Sequence, residues 1–509
     1  MKPVLAALIA LALVAGAAAA PRSLKQTLSG QPSTNCETLV VGGGPGGVYS
    51  AYRVLESKNS TNVCLLEATG RVGGRIYSVR GLGAKQDLVV DMGAYRYMPL
   101  VQKLITDIIE GLLQLPNRLY QPGVEDYKVI LSTDGSNAGF ATYVEKLLDL
   151  GSMMGLKTHF NTKVISVNTT ADGTFKVTAG EGQVFTANRV ILNLPTRPMH
   201  RLLQSSNIET NYNTGLYAPE HNRATKLYLY YPQAWWLAAG LNNGSFAATS
   251  AFGPGNVTIP LVARYHDGHV RCNTSSGAVD YYYTNNAINP SSCYGYLQAV
   301  YTSASSASSA PSQAAIAYLV DYMGSSSTDV PYKILDGSTA LGAKLLADSH
   351  ASILKWHNAN NLSTAAMAAS NALPSHAVVA MWDQAVSWVG GGWNGMKDSK
   401  QGTPDAVAAS GVIHPFPGIP LYVANEAYGP ATTQGWSEAS LVLAENIIQG
   451  YFGGGQPSWM RNTTLPAVIF GPNWNDYESA QQGGGTIVIN AKPPAPAPAP
   501  AVSAFSTSG

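Results

Sequence analysis

Residues 41–47 read V-G-G-G-P-G-G, and this stretch decides the fold of the chain. A short apolar run at 38–41 predicts a strand before it, and apolar residues at a 3.6-residue spacing predict a helix after it. Gly42, Gly44 and Gly47 occupy the glycine positions of G-x-G-x-x-G, where a side chain would block the turn, the pyrophosphate or the packing of helix on sheet. The stretch therefore predicts a Rossmann-like turn that binds a dinucleotide.

Two features after this turn narrow the choice of nucleotide. Glu67 ends a second predicted strand, 62–66, where a carboxylate can accept hydrogen bonds from the adenosine ribose. Residues 70–75 then read G-R-V-G-G-R, a second glycine-rich turn with two arginines, Arg71 and Arg75. Nicotinamide enzymes do not need this second turn, so it favours a different dinucleotide.

The composition excludes some partners. The chain has 509 residues, which is enough for two or more domains with substantial cores. Its formal net charge is +1, which argues against nucleic acid as a partner. Charged residues make up 12% of the chain, against about 25% in typical domains.

The N-terminus predicts export. Lys2 precedes an apolar run at 4–17 and small residues at 18–20, the pattern of a cleavable signal peptide, and nothing later in the sequence is apolar enough to span a membrane. Cys272 and Cys293 enclose a short polar loop and are expected to form a disulfide. We expect Cys36 and Cys64, in the first two strands, to be small buried hydrophobes. Sequons for N-glycosylation support export weakly and stand at Asn59, Asn168, Asn243, Asn256, Asn273, Asn361 and Asn462.

The order of these parts resembles the flavin amine oxidase superfamily from about residue 35 to 452, and within it secreted L-amino-acid oxidases. The resemblance implies an α/β fold with a discontinuous Rossmann-like FAD-binding domain, a mixed α+β substrate domain and a helical insertion. We assign 1–20 to the signal peptide, 33–95, 134–200 and 411–455 to the FAD-binding domain, 96–133 to the helical insertion and 201–410 to the substrate domain. Residues 456–509 form a C-terminal extension whose Pro-Ala repeat, 493–501, is too poor in apolar residues to fold.

The C-terminal part of the resemblance lies in Y-V-A-N-E at 422–426 and G-W-S-E at 435–438, which are similar to the family's A-G-E and G-W-x-D/E motifs. A helix beginning near Trp436 would direct its positive end at the flavin. Asn425 departs from the family's glycine, which puts in doubt how closely the backbone approaches the cofactor. No cysteine follows Cys293, so the FAD is expected to be noncovalent. The cofactor contacts expected from the motifs and the resemblance are Gly42, Gly44, Pro45, Gly47, Glu67, Arg71, Gly74, Arg75, Gly93, Ala94, Tyr95, Val164, Glu426, Trp436 and Ser437.

The substrate class follows from D-M-G-A-Y-R at 91–96, because similar amino-acid oxidases show G-x-x-R here and hold the substrate carboxylate with the arginine. The planar fork of Arg96 suits that task, since it can form two parallel charge-assisted hydrogen bonds. An ion pair with Asp91 or Asp87 is the alternative. Tyr301 resembles the tyrosine that shares the carboxylate, with Tyr294 and Tyr296 as competitors. Trp436 would wall the substrate pocket.

Two further residues are implied as catalytic. Lys226 resembles the lysine that holds a water near the flavin, and a solvated strand lysine is the alternative reading. His221 matches a histidine proposed as a base in some relatives, although a lone histidine is more often structural. Trp382 and W-V-G-G-G-W at 388–393 resemble the family's passage along the flavin.

These features predict a secreted enzyme that oxidises L-amino acids with molecular oxygen to 2-oxo acids, ammonia and hydrogen peroxide. An amine or polyamine oxidase of the same superfamily is the first alternative, and a non-catalytic secreted flavoprotein is the second. Small molecules are the expected partners, without nucleic acid or stable membrane insertion. The sequence leaves the side-chain preference and a homo-oligomeric state open.

Overall fold

The computed structural model describes residues 35–461, except 122–123, 209–213, 243, 249–258, 266–268, 282–287, 305–309, 325–329, 384–389, 397–411, 417 and 431–432. The predicted signal peptide, the Pro-Ala tail, Trp388 and three of the sequons, Asn243, Asn256 and Asn462, lie outside the described residues. Within the described residues, no helix combines the length and apolar character that a membrane crossing requires.

The strands and helices follow in chain order. The strands are β1 (Asn35–Val41), β2 (Val63–Leu66), β3 (Ser78–Leu82), β4 (Leu88–Asp91), β5 (Asn117–Gln121), β6 (Val124–Ile130), β7 (Lys157–His159), β8 (Val164–Thr169), β9 (Phe175–Ala179), β10 (Val184–Leu192), β11 (Pro219–Tyr231), β12 (Ser245–Ala248), β13 (Leu261–Arg264), β14 (Val270–Thr274), β15 (Gly277–Asp280), β16 (Cys293–Ala304), β17 (Tyr332–Asp336), β18 (His376–Trp382), β19 (Trp393–Met396) and β20 (Leu421–Val423). The helices are α1 (Pro45–Glu56), α2 (Lys103–Thr106), α3 (Thr142–Met153), α4 (Thr196–Gln204), α5 (Trp235–Ala238), α6 (Ala310–Met323), α7 (Ala340–Ala359), α8 (Ser363–Ser370) and α9 (Ser437–Tyr451).

The first sheet is the predicted Rossmann-like core. Its order is β7-β2-β1-β10-β9-β8, and β20 pairs with β10 beyond the point where β9 leaves it. Strands β7, β2, β1, β10 and β20 are parallel to their neighbours, whereas β9 pairs with β10 and with β8 in antiparallel fashion. Both β1 and β2 are almost wholly buried apolar runs, as expected for a parallel sheet covered on its two faces.

The second sheet forms the other half of the molecule. Its order is β12-β13-β16-β11-β18-β17, with β14 on β16 and β19 on β11. The long strands β11 and β16 pair antiparallel, which sets Lys226 directly opposite Tyr301. One face of the sheet packs against α6, α7 and α8 in an aromatic and aliphatic core, and β3 and β4 pack nearby through Leu82, Leu88 and Val90. The mixed α+β region expected after residue 201 is therefore present.

The segment 96–133, expected to be a helical insertion, is only partly helical. Its helix is α2, continued by a π-helical turn at Asp107–Leu112, and the rest is the antiparallel hairpin β5-β6. The sequence carried a signal for the hairpin, because 122–123 read P-G between two apolar runs, which is typical of a turn. Apolar residues at a helical spacing around 101–112 predicted a helix instead.

The chain holds two disulfides, so one of the cysteine predictions is confirmed and one is wrong. Cys272 on β14 and Cys293 on β16 are direct cross-strand neighbours and form the expected bond. Cys36 and Cys64, expected to be unpaired, also form a disulfide, with their Cα atoms 5.9 Å apart. They lie on adjacent strands, β1 and β2, whose register pairs Cys64 with Leu39, and the sequence did not reveal that the two cysteine side chains meet.

Candidate functional site

A cavity of about 520 Å³ runs along the carboxyl edge of the parallel strands. It is lined by residues that follow four of them directly: Gly42 after β1, Glu67 after β2, Asn193 after β10 and Asn425 after β20. Ligands of open parallel sheets bind at this edge. The volume lies within the roughly 300–1,000 Å³ that is usual for small-molecule sites. Residues of the second sheet, including Lys226 and Tyr301, close the other end of the cavity.

The first glycine turn has room for backbone but not for side chains. A Cβ on Gly47 would lie 1.9 Å from the carbonyl oxygen of Gly42, and a Cβ on Gly42, whose φ is +98°, would lie 2.5 Å from the carbonyl oxygen of Asn193. Gly47 does not line the cavity but lets α1 pack against the turn. Helix α1 starts after Gly44 without a side-chain cap, with Pro45 at its first position. Its first N–H groups are thus suited to a phosphate.

Glu67 lines the cavity and also braces the glycine turn. Its carboxylate accepts hydrogen bonds from the N–H of Gly43 at 2.6 Å and from the N–H and hydroxyl of Thr69, both at 2.8 Å. A carboxylate has about four acceptor positions, so one is left for a ribose hydroxyl. The expected ribose contact is compatible with this arrangement, but most of the hydrogen-bonding capacity of Glu67 serves the protein.

The second glycine turn packs against the first. Gly74, with φ +56°, has its Cβ position 3.5 Å from the Cα of Gly44. The guanidinium of Arg71 lies 3.7 Å above the ring of Tyr77 and donates to the carbonyl of Gly74 at 2.8 Å. Arg71 therefore shapes its own loop while lining the cavity, and its contact with a diphosphate stays a prediction.

Arg75 and Glu426 form a buried ion pair at the centre of the cavity wall. The Nη1 of Arg75 donates to the Oε1 of Glu426 at 2.5 Å, and Asn394 donates to the same carboxylate from its backbone and side chain at 2.9–3.0 Å. Asn425, the departure from glycine, has ordinary extended φ and ψ and accepts a hydrogen bond from the N–H of Ala427 at 3.1 Å. Its side chain thus caps the turn that follows it.

Helix α9 points its N-terminus at the cavity. Its N-cap is Trp436, whose side chain makes no capping hydrogen bond, and Trp436 and Ser437 line the cavity. The one acidic residue in the first turn, Glu438, is turned away, because its carboxylate accepts hydrogen bonds from the N–H groups of Leu104 and Ile105 in α2. Burial raises the pKa of Glu438 to about 7. The start of α9 therefore keeps its positive end for a ligand.

Arg96 is held by aromatic rings. Its guanidinium carbon lies 3.8 Å from the ring centre of Tyr127, 4.8 Å from that of Tyr95 and 5.1 Å from that of Tyr120. Arg96 lines the cavity and forms no hydrogen bond or ion pair with any residue in the described part of the chain. The alternative ion pairs with Asp91 and Asp87 are absent, since Asp91 accepts from Ser78 and Phe140, and Asp87 accepts from Tyr294.

Lys226 lies deep in the same end of the cavity. Its ammonium nitrogen donates to the carbonyl of Asp91 at 2.9 Å and to that of Gly93 at 2.7 Å, and it lies 4.4 Å from the ring centre of Tyr95. The residue is 4% exposed, so the reading as a solvated strand lysine is wrong. Burial lowers the pKa of Lys226 to about 7, an effect that the nearby Asp91 opposes and Arg96 reinforces. Burial in turn raises the pKa of Asp91.

The structure distinguishes the three candidate tyrosines. Tyr301 lines the cavity with its ring centre 5.1 Å from the Lys226 nitrogen. Tyr294 and Tyr296 do not line it, because their hydroxyls bond Asp87 and His376.

His221 is not brought into the cavity. It is half-buried on β11 opposite Asn394 of β19, and burial lowers its pKa. Of β11, the residues that line the cavity are Ala224, Thr225 and Lys226, and His221 lies three residues before the first of them.

The remaining predicted contacts also line the cavity. Gly93, Ala94 and Tyr95 lie at the substrate end and Val164 at the nucleotide end. A Cβ on Gly93 would lie 1.9 Å from the carbonyl oxygen of Arg75, so this position requires glycine. Trp382 also lines the cavity and donates from its indole N–H to the carbonyl of Met92 at 3.0 Å.

Sequence reasoning missed the tyrosines that surround Arg96. Tyr120 and Tyr127 come from the hairpin β5-β6, and the chain holds 27 tyrosines, so no single one stands out. It also missed that Asn193 donates a hydrogen bond to the carbonyl of Gly42 and that Asn394 donates one to the carboxylate of Glu426. In the described part of the chain, no group of His, Cys, Asp and Glu could hold a metal ion.

Two family models match consecutive parts of the chain. A NAD(P)-binding Rossmann-like domain matches residues 40–111, and the flavin-containing amine oxidoreductase family matches residues 117–288. The two matches cover the glycine turns, the segment with Arg96 and Tyr127, and the strand with Lys226.

Individual relatives match over short segments. Achacin of Lissachatina fulica is 36% identical over 93 residues, 18% of this chain and 17% of achacin. Flavin-containing amine oxidase B of Sus scrofa is 37% identical over 97 residues, 19% of this chain and 16% of that enzyme. A redesigned putrescine oxidase is 13% identical with a TM-score of 0.48, over 82% of this chain and 99% of that structure. The chain thus matches less than a fifth of the length of the two sequence relatives.

Proposed function

Because this chain belongs to the flavin amine oxidase superfamily, we propose that it is a secreted oxidase of L-amino acids. FAD is its cofactor, and the glycine cradle, Glu67 and the start of α9 fit that group. All four cysteines are in disulfides, which leaves no thiol for a thioether to the flavin. When bound, FAD accepts a hydride from the substrate and passes the electrons to oxygen, giving hydrogen peroxide.

The proposal rests on the surroundings of Arg96, which lines the cavity and has no hydrogen-bonding or acidic partner in the described part of the chain. A buried or half-buried arginine normally has an acidic partner, because desolvating its charge is costly. Here the guanidinium faces the cavity, and its nearest neighbours among the described residues are the aromatic rings of Tyr95, Tyr120 and Tyr127. A substrate carboxylate would supply the missing hydrogen-bond acceptors in a planar, bidentate arrangement.

The charges of the cavity disfavour diamines and polyamines as substrates. Among the cavity-lining residues that the structure describes, the carboxylates are Glu67 and Glu426, and both already accept hydrogen bonds from the protein. Arg96 and Lys226 lie at the substrate end. A second ammonium group would meet two cationic side chains there and no available carboxylate, which is unfavourable.

The chain's own residues would orient the substrate and control one proton. A carboxylate on Arg96 fixes the direction of the Cα–H bond, which matters because hydride transfer requires near-attack geometry. Lys226, with a pKa of about 7, can exchange a proton with the substrate amine or with water at neutral pH. Tyr301 and Trp436 enclose the same space and exclude bulk water.

Two observations support export. The N-terminal sequence has the pattern of a signal peptide, and both disulfides require an oxidising compartment if they are to persist.

The test is a peroxide assay on purified, FAD-loaded protein with the twenty L-amino acids, primary amines, putrescine and spermidine. We expect turnover of L-amino acids and little of the amines. Arg96→Met should raise the KM for amino acids roughly 10- to 100-fold, the value of one charged hydrogen-bonding partner, without loss of flavin. Arg80→Met is the control, since Arg80 forms an exposed pair with Glu145. Turnover of amines alone would select the amine oxidase, and a flavin that no substrate reduces under anaerobic conditions would select the non-catalytic flavoprotein.

A further inference from the structure

The hairpin β5-β6 places two rings near Arg96, those of Tyr120 and Tyr127, and Tyr127 is the nearer. The ring centre of Tyr127, on β6, lies 3.8 Å from the guanidinium carbon of Arg96. It also lies 6.3 Å from the ring centre of Trp436, with an interplanar angle of 22°. Tyr127 therefore contacts Arg96 and Trp436, and the three residues come from distant parts of the chain; we call them the stack. Arg96 and Trp436 line the cavity, whereas Tyr127 does not.

The backbone fixes Tyr127 in this place. Tyr97, next to Arg96, forms an antiparallel bridge with Lys128, next to Tyr127, with N–H to carbonyl distances of 3.1 and 2.9 Å. Lys128 and Tyr97 also share Glu110, which accepts from the lysine at 2.9 Å and from the tyrosine hydroxyl at 2.8 Å. The hairpin is therefore anchored directly beside the contact between Arg96 and Tyr127.

An arginine without a hydrogen-bonding partner needs another source of orientation. Its side chain has large rotamer freedom, and only a fixed guanidinium plane can offer two parallel N–H groups to a carboxylate. Stacking on an aromatic face restricts the plane and leaves the N–H edge open. Among the rings around Arg96, Tyr127 is the nearest.

We propose that Tyr127 is a positioning residue for substrate binding, because it holds the guanidinium of Arg96 in the plane that receives the substrate carboxylate and holds Trp436 against the same stack. This inference rests on the proposed function. It assigns to the hairpin a direct part in the affinity for carboxylate substrates, through the face of the ring and not through its hydroxyl.

The test compares Tyr127→Leu with Tyr127→Phe in the FAD-loaded protein. For the best L-amino acid, Tyr127→Leu should raise the KM roughly tenfold, or about 1.4 kcal/mol, with kcat within twofold, whereas Tyr127→Phe should match the wild type. Calorimetric titration with benzoate, a carboxylate that is not oxidised, should show the same change in Kd. Tyr217→Leu, at a 37% exposed tyrosine outside the cavity lining, is the matched control.

Each other outcome has one meaning. A Tyr127→Leu variant with wild-type KM and benzoate Kd, or a Tyr127→Phe variant as impaired as the leucine variant, would overturn the proposal. A fall in kcat at constant KM would do the same. If Tyr127→Leu loses its flavin, Tyr127→Met, whose flexible side chain can adapt to the gap, replaces it. If the wild type oxidises only amines, the proposed function fails, and benzoate binding still decides whether Tyr127 orients Arg96.

Discussion

The two ends of the cavity differ in how their charged side chains are bonded. We call the end with Gly42 and Glu67 the nucleotide end and the end with Arg96 and Lys226 the substrate end. At the nucleotide end, Glu67 accepts three hydrogen bonds from the protein, Arg71 donates to its own loop, and Arg75 is paired with a carboxylate. At the substrate end, Arg96 meets aromatic faces, and Lys226 meets only carbonyl oxygens as hydrogen-bonding partners in the described structure. The first arrangement stabilises a fixed backbone shape, and the second keeps two cations available to a ligand.

This difference teaches where specificity resides. The nucleotide end binds its ligand with backbone groups, for which side chains only provide support. At the substrate end, neither Arg96 nor Lys226 hydrogen-bonds a carboxylate of the described residues, so the chemistry of this end can change with a single substitution. Mutations at the two ends should therefore differ in kind, with loss of cofactor and stability at one end and altered substrate affinity or ionisation at the other.

The largest effect is expected at the first glycine turn. Gly47→Ala places a Cβ 1.9 Å from the backbone oxygen of Gly42, and neither backbone segment can move without separating α1 from β1. We expect less than about a tenth of the wild-type flavin content, measured by absorbance at the flavin band against protein concentration. Gly337→Ala is the control, since no atom lies within 4 Å of its Cβ position. A fully flavinated Gly47→Ala variant would contradict the packing argument.

The second effect concerns the buried pair Arg75–Glu426, whose side chains are 14% and 9% exposed. Glu426→Gln leaves the charge of Arg75 uncompensated, so the free energy of unfolding should fall by about 3 kcal/mol. Glu145→Gln removes a partner of Arg80 in a pair with both side chains 43% exposed, and should cost less than about 1 kcal/mol. Urea unfolding of both variants at neutral pH measures the contrast. Equal losses would show that breaking the Arg75–Glu426 pair costs no more stability than breaking the exposed Arg80–Glu145 pair.

The third effect depends on pH. Lys226 has a pKa of about 7 in the folded chain, below the ordinary lysine value of 10.5, so between these values the unfolded chain binds more protons and stability rises with pH. Relative to Lys226→Met, the wild type should gain at most about 2.7 kcal/mol between pH 7 and 9, and this gain should disappear as the pH falls through 7. Denaturant midpoints at several pH values provide the measurement. Lys146→Met, at a 55% exposed lysine, should show no such trend.

The smallest effect is expected at the departure from the family motif. Asn425→Gly restores the glycine but removes the hydrogen bond that caps the turn at Ala427, so stability should fall by only a few tenths of a kcal/mol. Flavin content should stay at the wild-type value because the backbone at Asn425 is already extended. Thermal melting with and without added FAD checks both statements. A marked gain in FAD affinity would mean that the side chain of Asn425 hinders the cofactor.

The part of the fold that follows local patterns could be predicted from the sequence. The strand before residue 42, helix α1, the strand at 63–66, β9 and the final strand and helix lie where the periodicity places them. The glycine positions could also be predicted, because the need for a residue without a side chain arises from contacts within a few residues of the turn. Lys226 and Tyr301 were found through their resemblance to a family pattern, and the structure adds that they face each other across two strands.

The rest depends on register between distant segments. Cys36 and Cys64 form a disulfide between the adjacent strands β1 and β2, and the sequence specifies neither the adjacency nor the approach of the two side chains. Tyr127 stacks on Arg96 because a bridge between Tyr97 and Lys128 aligns them, and no local period records that bridge. The motif match for His221 took no account of how far along β11 the cavity extends, since Ala224, Thr225 and Lys226 line it and His221 does not.

The strand order has a consequence for the timing of biosynthesis. The residues that line the cavity come from distant parts of the chain. Gly42 and Glu67 follow the first two strands, whereas Glu426, Trp436 and Ser437 follow the last strand, β20. Almost the whole described chain must therefore be synthesised before the lining of the cavity is complete. A nascent chain stopped near residue 420 should accordingly bind no FAD.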